Sequence, residues 1–495
     1  MLFGGFGTIG AGLPHMQAIT GMVVVELGGV RYLVTAAQTD GGMTSFRLSP
    51  GAAAQQVDTR VYSPATGTLG ASDLALVSLG GVPVIVAGGR QDDAFALHGL
   101  GADGAFGALE GPPAGTAVVG QTSDLAVVET GAGAWLFSAR AGQPGLYAHA
   151  LGADLGVSYL RYTADTAQSF IQNVTALATA RVAGNDYLIA TGGFDNGITA
   201  FRVGAGGVLT VTGSAVPGPD LPIHRPSALA VAEVGGETFL IVGAAGSGTL
   251  STLRVDAAGA LDVRDTRADT MQTYFRNVSA LEAVTVEGRG FVIAGGNDGG
   301  VSLFELVPGG GLFHMASLPH KTGLSLLDVS AIAAEVLAGE VQIFISSATQ
   351  PGLTQLTLGT STLAPPIIGD DTGATLAGDA RDDLIIGGAG DDLLIGGGGN
   401  NRLIDGPGAD TMTGGAGRTI FTLVPDDDLD IITDFTPGTD LIDLSRYPNL
   451  HWFGQLTLAP EGAGVLVTVQ GDELLVFGAS GSLAPADLGP ADFLF

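Results

Sequence analysis

Six consecutive copies of a nine-residue phrase place oxygen-bearing side chains at a fixed spacing; they begin at Gly369, Gly378, Gly387, Gly396, Asp405 and Gly414. The clearest copy is GGAGDDLLI, residues 387–395. The sixth position is Ala374, Asp383, Asp392, Asn401, Asp410 and Thr419; the eighth is apolar throughout, as Leu376, Ile385, Leu394, Leu403, Met412 and Phe421. Glycines at the first, second and fourth positions let the backbone turn sharply and aim its carbonyls at one point. Carbonyls plus a carboxylate make an all-oxygen donor set, which suits Ca2+, a hard cation taking about six to eight oxygens. The Gly-rich half must be a turn and the apolar half a short strand. A disordered linker would not hold an apolar residue in register at every copy.

The phrase resembles the G-G-x-G-x-D-x-U-x repeat of the RTX family of secreted calcium-binding proteins. The resemblance implies a parallel β-roll in which each copy is half a turn, so that copies two apart stack and share an ion. The stacked pairs are then Asp383 with Asn401, Asp392 with Asp410, and Asn401 with Thr419. The implied metal set is Asp383, Asp392, Asn401 and Asp410, with the turn glycines Gly388, Gly390, Gly397, Gly399, Gly406 and Gly408. The Asp392/Asp410 pair, carboxylate on both sides and glycines intact, is the leading site. Thr372 and Arg381 replace a fourth-position glycine, and Ala374 and Thr419 replace the sixth-position acid, so about two or three ions are expected.

The segment DDDLDIITDFTPGTDLIDLS, residues 426–445, is similar to the one that follows the roll in RTX proteases and lipases. By that resemblance Asp434, Asp440 and Asp443 ligate a further ion or cap the roll. The final ADFLF, residues 491–495, resembles the family's C-terminal signal for a type I secretion exporter. The opening residues show neither the basic stretch nor the continuous apolar run of a signal peptide. Together these imply a bacterial protein that is secreted to the extracellular space.

A second set of candidate residues lies upstream. Gln172-Asn173, His224-Arg225 and Arg276-Asn277, with Tyr274 two positions before Arg276, precede three successive apolar runs. If those runs are innermost strands, the polar side chains crowd around one mouth. Guanidiniums and amides there suit an anionic or carboxylate-bearing ligand, and His224 offers a base. The plainer reading is that mouth loops are polar because they are wet. No nucleophile elbow, zinc-protease motif, phosphate loop or paired-carboxylate spacing occurs in this part.

The elements that must position these residues also repeat. Phrases beginning at Ile19, Ala71, Thr122, Val174, Pro226, Val278 and Val329 each carry a hydroxyl second, from Thr20 and Ser72 through to Ser330. An apolar residue follows two later, then a second apolar run, a glycine turn, a third run and a weaker fourth. Four short antiparallel strands per unit describe a β-propeller blade. The phrase YLIATGGFDNGITAFRVGAGGVL, residues 187–209, resembles blades of lactonase-like seven-bladed propellers. That resemblance carries no catalytic residue with it. The last unit is one strand short, and Leu2 to Ile9 is expected to close the ring. His98 and His149 fall where Phe46 and Phe201 stand in other units, which marks them as sheet residues.

The expected architecture is therefore all-β: a seven-bladed propeller over residues 1–364, an RTX roll over 365–422, and a C-terminal β cap with the secretion signal over 423–495. The composition agrees: 495 residues, 81 glycines, no cysteine and a net charge of −30. From Pro365 onward there are 21 acidic and 4 basic side chains, so over half of that charge sits in the tail. Such acidity argues against nucleic acid or an anionic membrane surface as partner. No run is long enough to span a membrane. A binding module for a glycan, surface component or partner protein is the leading function for the propeller. The alternatives are a lactonase-like or ester hydrolase at the tunnel mouth, with His224, Arg225 and Arg276 as candidates, and a structural matrix protein.

Overall fold

Strands this short cannot stand alone, and the chain stabilises them by stacking copies of one unit on the next. The computed structural model describes residues 3–61, 70–91, 95–110 and 121–495. They form two compact units that divide at Gly359 and Thr360. The expected division at residue 364 moves upstream because Thr362 and Ala364 hydrogen-bond to the backbone of Asp382, which ties this stretch to the roll.

The first unit is a seven-bladed propeller of seven four-stranded antiparallel sheets. Blade four is typical: Val174–Val182, Asn185–Gly192, Gly197–Gly204 and Val208–Ala215. Second strands are covered on both faces by neighbouring blades, so Phe239, Leu240, Ile241 and Val242 are all fully buried. Apolar clusters fill the spaces between successive blades; one joins Phe239 and Ile241 to Phe275, Val292 and Phe304. Blade seven, Val329–Leu337, Glu340–Ser347 and Leu353–Gly359, takes its outer strand from the other end of the chain. Gly4–Ile9 pairs antiparallel with Leu353–Gly359, as the sequence suggests, while Leu2 lies outside the described residues.

The repeated hydroxyls join blade to blade. Each donates to the carbonyl that opens the next blade's inner-strand phrase: Thr20 to Ala71, Ser123 to Val174, Thr175 to Pro226, Ser227 to Val278, and Ser279 to Val329. Ser330 closes the circle on Ile19. The Ser72 side chain lies outside the described residues. The acceptor is in each case a carbonyl of the neighbouring blade, so these hydroxyls tie one blade to the next.

In the second unit, three-residue strands sit at positions seven to nine of the repeat, such as Leu384–Ile386, Leu393–Ile395 and Thr411–Thr413. Copies eighteen residues apart pair in parallel: Leu376 with Leu394, Leu394 with Met412, Ile385 with Leu403, and Leu403 with Phe421. Two sheets result, and their eighth-position side chains meet in one core with Ile432, Phe435, Ile442 and Phe493. The post-roll segment continues both sheets. Leu429–Phe435 extends one and Leu441–Asp443 the other, so roll and cap share a core. Phe493–Leu494 completes the all-parallel sheet beside Leu441–Asp443. Among the described residues no helix is long and apolar enough to cross a membrane.

Candidate metal centre

The alternation of turns puts odd and even copies on opposite edges of the roll. On the first edge the sixth-position side chains form a ladder. The Ala374 N–H donates to Asp392 Oδ1 (2.7 Å), the Asp392 N–H to Asp410 Oδ1 (2.7 Å), and the Asp410 N–H to Asp430 Oδ1 (3.0 Å). Each carboxylate thus spends one oxygen on the turn beneath it. The second oxygens of Asp392, Asp410 and Asp430 are buried with no hydrogen-bond partner. Burial first, then the charges of Asp392, Asp426 and Asp391, pushes Asp410 up to about 7. Burial, then Asp426, Asp410 and Asp472, pushes Asp430 up to about 8.

Asp392 and Asp410 therefore stack as expected, and Asp430 joins them. The fixed period of nine hides Asp430, because the last stacking step is twenty residues rather than eighteen. A signal was present: DIIT at 430–433 has the pattern of DTMT at 410–413, the last four positions of that copy, with the acid first, an apolar residue third and threonine fourth. Asp405 was also missed. It stands first in its copy, where the other five have glycine, and is fully buried. Its Oδ1 accepts from the N–H groups of Gly406 (2.6 Å) and Val424 (2.9 Å), and its Oδ2 has no partner. Burial, then the charges of Asp430 and Asp410, holds it well above the usual carboxylate range.

The turn glycines are needed in their places. Gly388, Gly390, Gly406 and Gly408 lie at φ of 107°, 93°, 112° and 131°, and a Cβ on Gly406 would collide with the Gly388 carbonyl. Gly397 and Gly399, at 88° and 77°, play the same part on the second edge.

That second edge is chemically different. Asn401 Oδ1 accepts from the Asp383 N–H (2.9 Å), while Nδ2 donates to the carbonyls of Gly398 (3.0 Å) and Gly414 (3.4 Å). Asp383 Oδ2 accepts from the Asp379 N–H (3.0 Å). Asp440 uses both oxygens, one on the Thr419 N–H and one on the Thr436 N–H (2.8 Å each). Asp434 likewise caps the last turn through the N–H groups of Gly414 (2.7 Å) and Gly415 (2.8 Å). Asp443 is given over to Arg402 inside the roll (2.9 Å, both side chains buried). Burial alone would raise Asp443, but the guanidinium and Ser445 bring it below the usual range.

The donor set of the first edge fits a hard cation: buried oxygens only, with backbone carbonyls stacked beside them. Among the described residues no three acidic or histidine side chains form a preformed cluster, so carbonyls must supply most of each cage. A bound divalent cation would neutralise the carboxylates and give their second oxygens a partner.

The propeller's mouth residues are spread along the loops. Asn173, Arg225 and Asn277 have φ of 54°, 49° and 49°, and Ala18, Gly70, Gln121 and Asp328 share the left-handed conformation at the same place. This position is a turn in every blade. The preceding N–H groups are held by the hairpin: Gln172 by Asp195, His224 by Ser247, and Arg276 by Asp298. Tyr274 is anchored by its N–H on Ser302. Arg276 and Asn277 line a groove of about 600 Å3 with Ser247, Asp269 and Met271; the other candidates do not line it.

The tunnel holds a group that sequence reading excluded. Asp73 and Asp124 stand third in the inner strands of adjacent blades, where the other five blades have Gly21, Ala176, Ala228, Ala280 and Ala331. They line a cavity of about 290 Å3 with Arg90 and the hydroxyl ring, and their carboxyls hydrogen-bond to each other. Burial pushes Asp124 up to about 6 and Asp73 well above its ordinary value, where the Asp124 charge adds to the effect. A paired-carboxylate arrangement is thus present, but its members come from different blades and no local spacing reveals it. His149 is buried between Phe95 and Tyr159, and burial lowers it to about 4, so it is a neutral sheet residue.

Residues 368–403 and 395–418 match the family of RTX calcium-binding nonapeptide repeats, four copies in all. No curated protein sequence matches the chain. Among solved structures, the periplasmic gluconolactonase of Pseudomonas aeruginosa is similar at 17% identity and a TM-score of 0.44, over 60% of this chain and 84% of that one. A protein from Lactobacillus plantarum is similar at 13% identity and 0.45, over 66% and 99%.

Proposed function

We propose that this chain, a calcium-binding protein of RTX type by its C-terminal repeats, leaves a bacterial cell through a type I exporter and stiffens outside it as its roll takes up Ca2+. The propeller is then the cargo, presented to an extracellular glycan, surface component or partner protein. The observation that carries the calcium part is the ladder of buried carboxylates with unpartnered oxygens on one edge of the roll. Without a cation these crowded acids oppose the fold, so metal uptake and ordering of the roll become one event. At the weak affinity of extracellular calcium modules, about 10⁻⁴–10⁻³ M, the tail stays loose inside a cell. Calorimetric titration of the full chain with Ca2+, followed in parallel by circular dichroism, tests this. Uptake of several ions with a gain of β signal is expected; no heat and no spectral change would end the proposal.

A hydrolase is the second reading, and the Asp73/Asp124 pair favours it. One proton shared between two carboxyls in a cavity is an arrangement suited to general acid–base work. A lactone and ester panel distinguishes the two readings: Asp124→Asn would abolish turnover in a hydrolase and leave ligand capture by a binding module unchanged.

A further inference from the structure

The roll's two edges are built from one repeat yet offer different chemistry, and the difference lies in which oxygens are already satisfied. On the first edge, Asp392, Asp410 and Asp430 each keep a buried oxygen without a partner. On the second, the Asn401 amide has donated to the very carbonyls that would turn toward a cation, and both Asp440 oxygens are taken by backbone N–H groups. A cation arriving at the second edge must first break those bonds and meets an amide where the first edge has a carboxylate. At the first edge the second carboxylate oxygens meet it without giving up a hydrogen bond of their own.

Asp405 adds to the imbalance. A side chain at the first position of a copy lies against that copy's own sixth-position group: a Cβ built on Gly387 would come within 2.8 Å of Asp392 Oδ2. Asp405 therefore stands beside Asp410, within range of the Asp410 and Asp430 charges, and its own Oδ2 is buried without a partner. No other copy carries an acid there.

We propose that divalent cations load only the Asp392–Asp410–Asp430 edge of the roll, and that Asp405 makes the Asp410–Asp430 position the tightest of them. The second edge is held by its own hydrogen bonds and needs no metal. This rests on the reading of the roll as a calcium-binding element. Charge count sets the order of loading, because affinity in all-oxygen sites rises with the number of carboxylates around the ion.

The test is calorimetric titration of the full chain with CaCl2, with each variant's fold checked by its melt in excess calcium. Wild type is expected to take about three ions, one for each gap between the four stacked turns of the first edge. Asp410→Asn loses ions, whereas Asp383→Asn leaves number and affinity unchanged. Asp405→Gly, which installs the residue of every other copy, weakens the tightest class by about tenfold or more. Asp392→Asn and Asn401→Ala provide a second pair should either aspartate variant fail to fold. Equal loss of ions from Asp383→Asn and Asp410→Asn would overturn the one-edge assignment, and unchanged tight binding in Asp405→Gly would overturn the ranking. Wild type that binds no calcium would remove the roll reading itself, an outcome distinct from both.

Discussion

Individual side chains here are decided by what surrounds a buried charge. Arg402 and Asp443 are both buried, and each is the other's counter-ion. Arg402→Ala strands the carboxylate, and a loss of about 3–5 kcal/mol in denaturant stability at saturating calcium is expected. In the propeller, burial raises Glu282 to about 7 and Asp124 to about 6. Raised acids make the folded state bind more protons than the unfolded one, so their contribution is complete below the unfolded value. It is lost as pH climbs through the folded one. The propeller should therefore lose stability between about pH 4 and 7. In Glu282→Gln, melting temperature should fall less steeply across that window; an unchanged slope would show that Glu282 does not titrate there.

Strands and turns depend on what a neighbouring copy leaves room for. Gly406 is left-handed and packs its Cα under the Gly388 carbonyl, so Gly406→Ala brings both backbone strain and a collision. Strain of this kind costs about 1–3 kcal/mol, and the calcium midpoint followed by circular dichroism should move to higher concentration. The interblade hydroxyls are individually modest. Ser279→Ala removes one bond to Val329 and should cost about 0.5–1.5 kcal/mol in the propeller's unfolding. A set of such changes around the ring should sum, because the donors are on separate blades.

The whole chain is two units with unequal needs. The propeller buries its sheets blade against blade and closes through Gly4–Ile9, so its melting should not respond to calcium. The C-terminal unit should respond, because a cation that binds only the folded form adds about 2.7 kcal/mol per site at a hundredfold excess over Kd. Scanning calorimetry of the full chain is expected to show two transitions, with only one moving as Ca2+ is added and returning with a chelator. Coincident movement of both would show that the units unfold together.

Repetition made most of this legible in the sequence. Periods of nine and of 51 or 52 residues announce a roll and a propeller, because each copy must bury the same face against its neighbour and so keeps the same residue types. The Asp392/Asp410 pairing followed from that period. Asp430 did not, since a turn two residues longer breaks the count while the fold absorbs the extra length. Nor did the Asp73/Asp124 pair or the contrast between the roll's edges: the first joins blades 51 residues apart, and the second depends on which lone pairs the backbone already occupies. Spacing along a chain records what stacks; only the closed three-dimensional structure decides which buried oxygens are left without a partner, because hydrogen bonds are settled by neighbours in space.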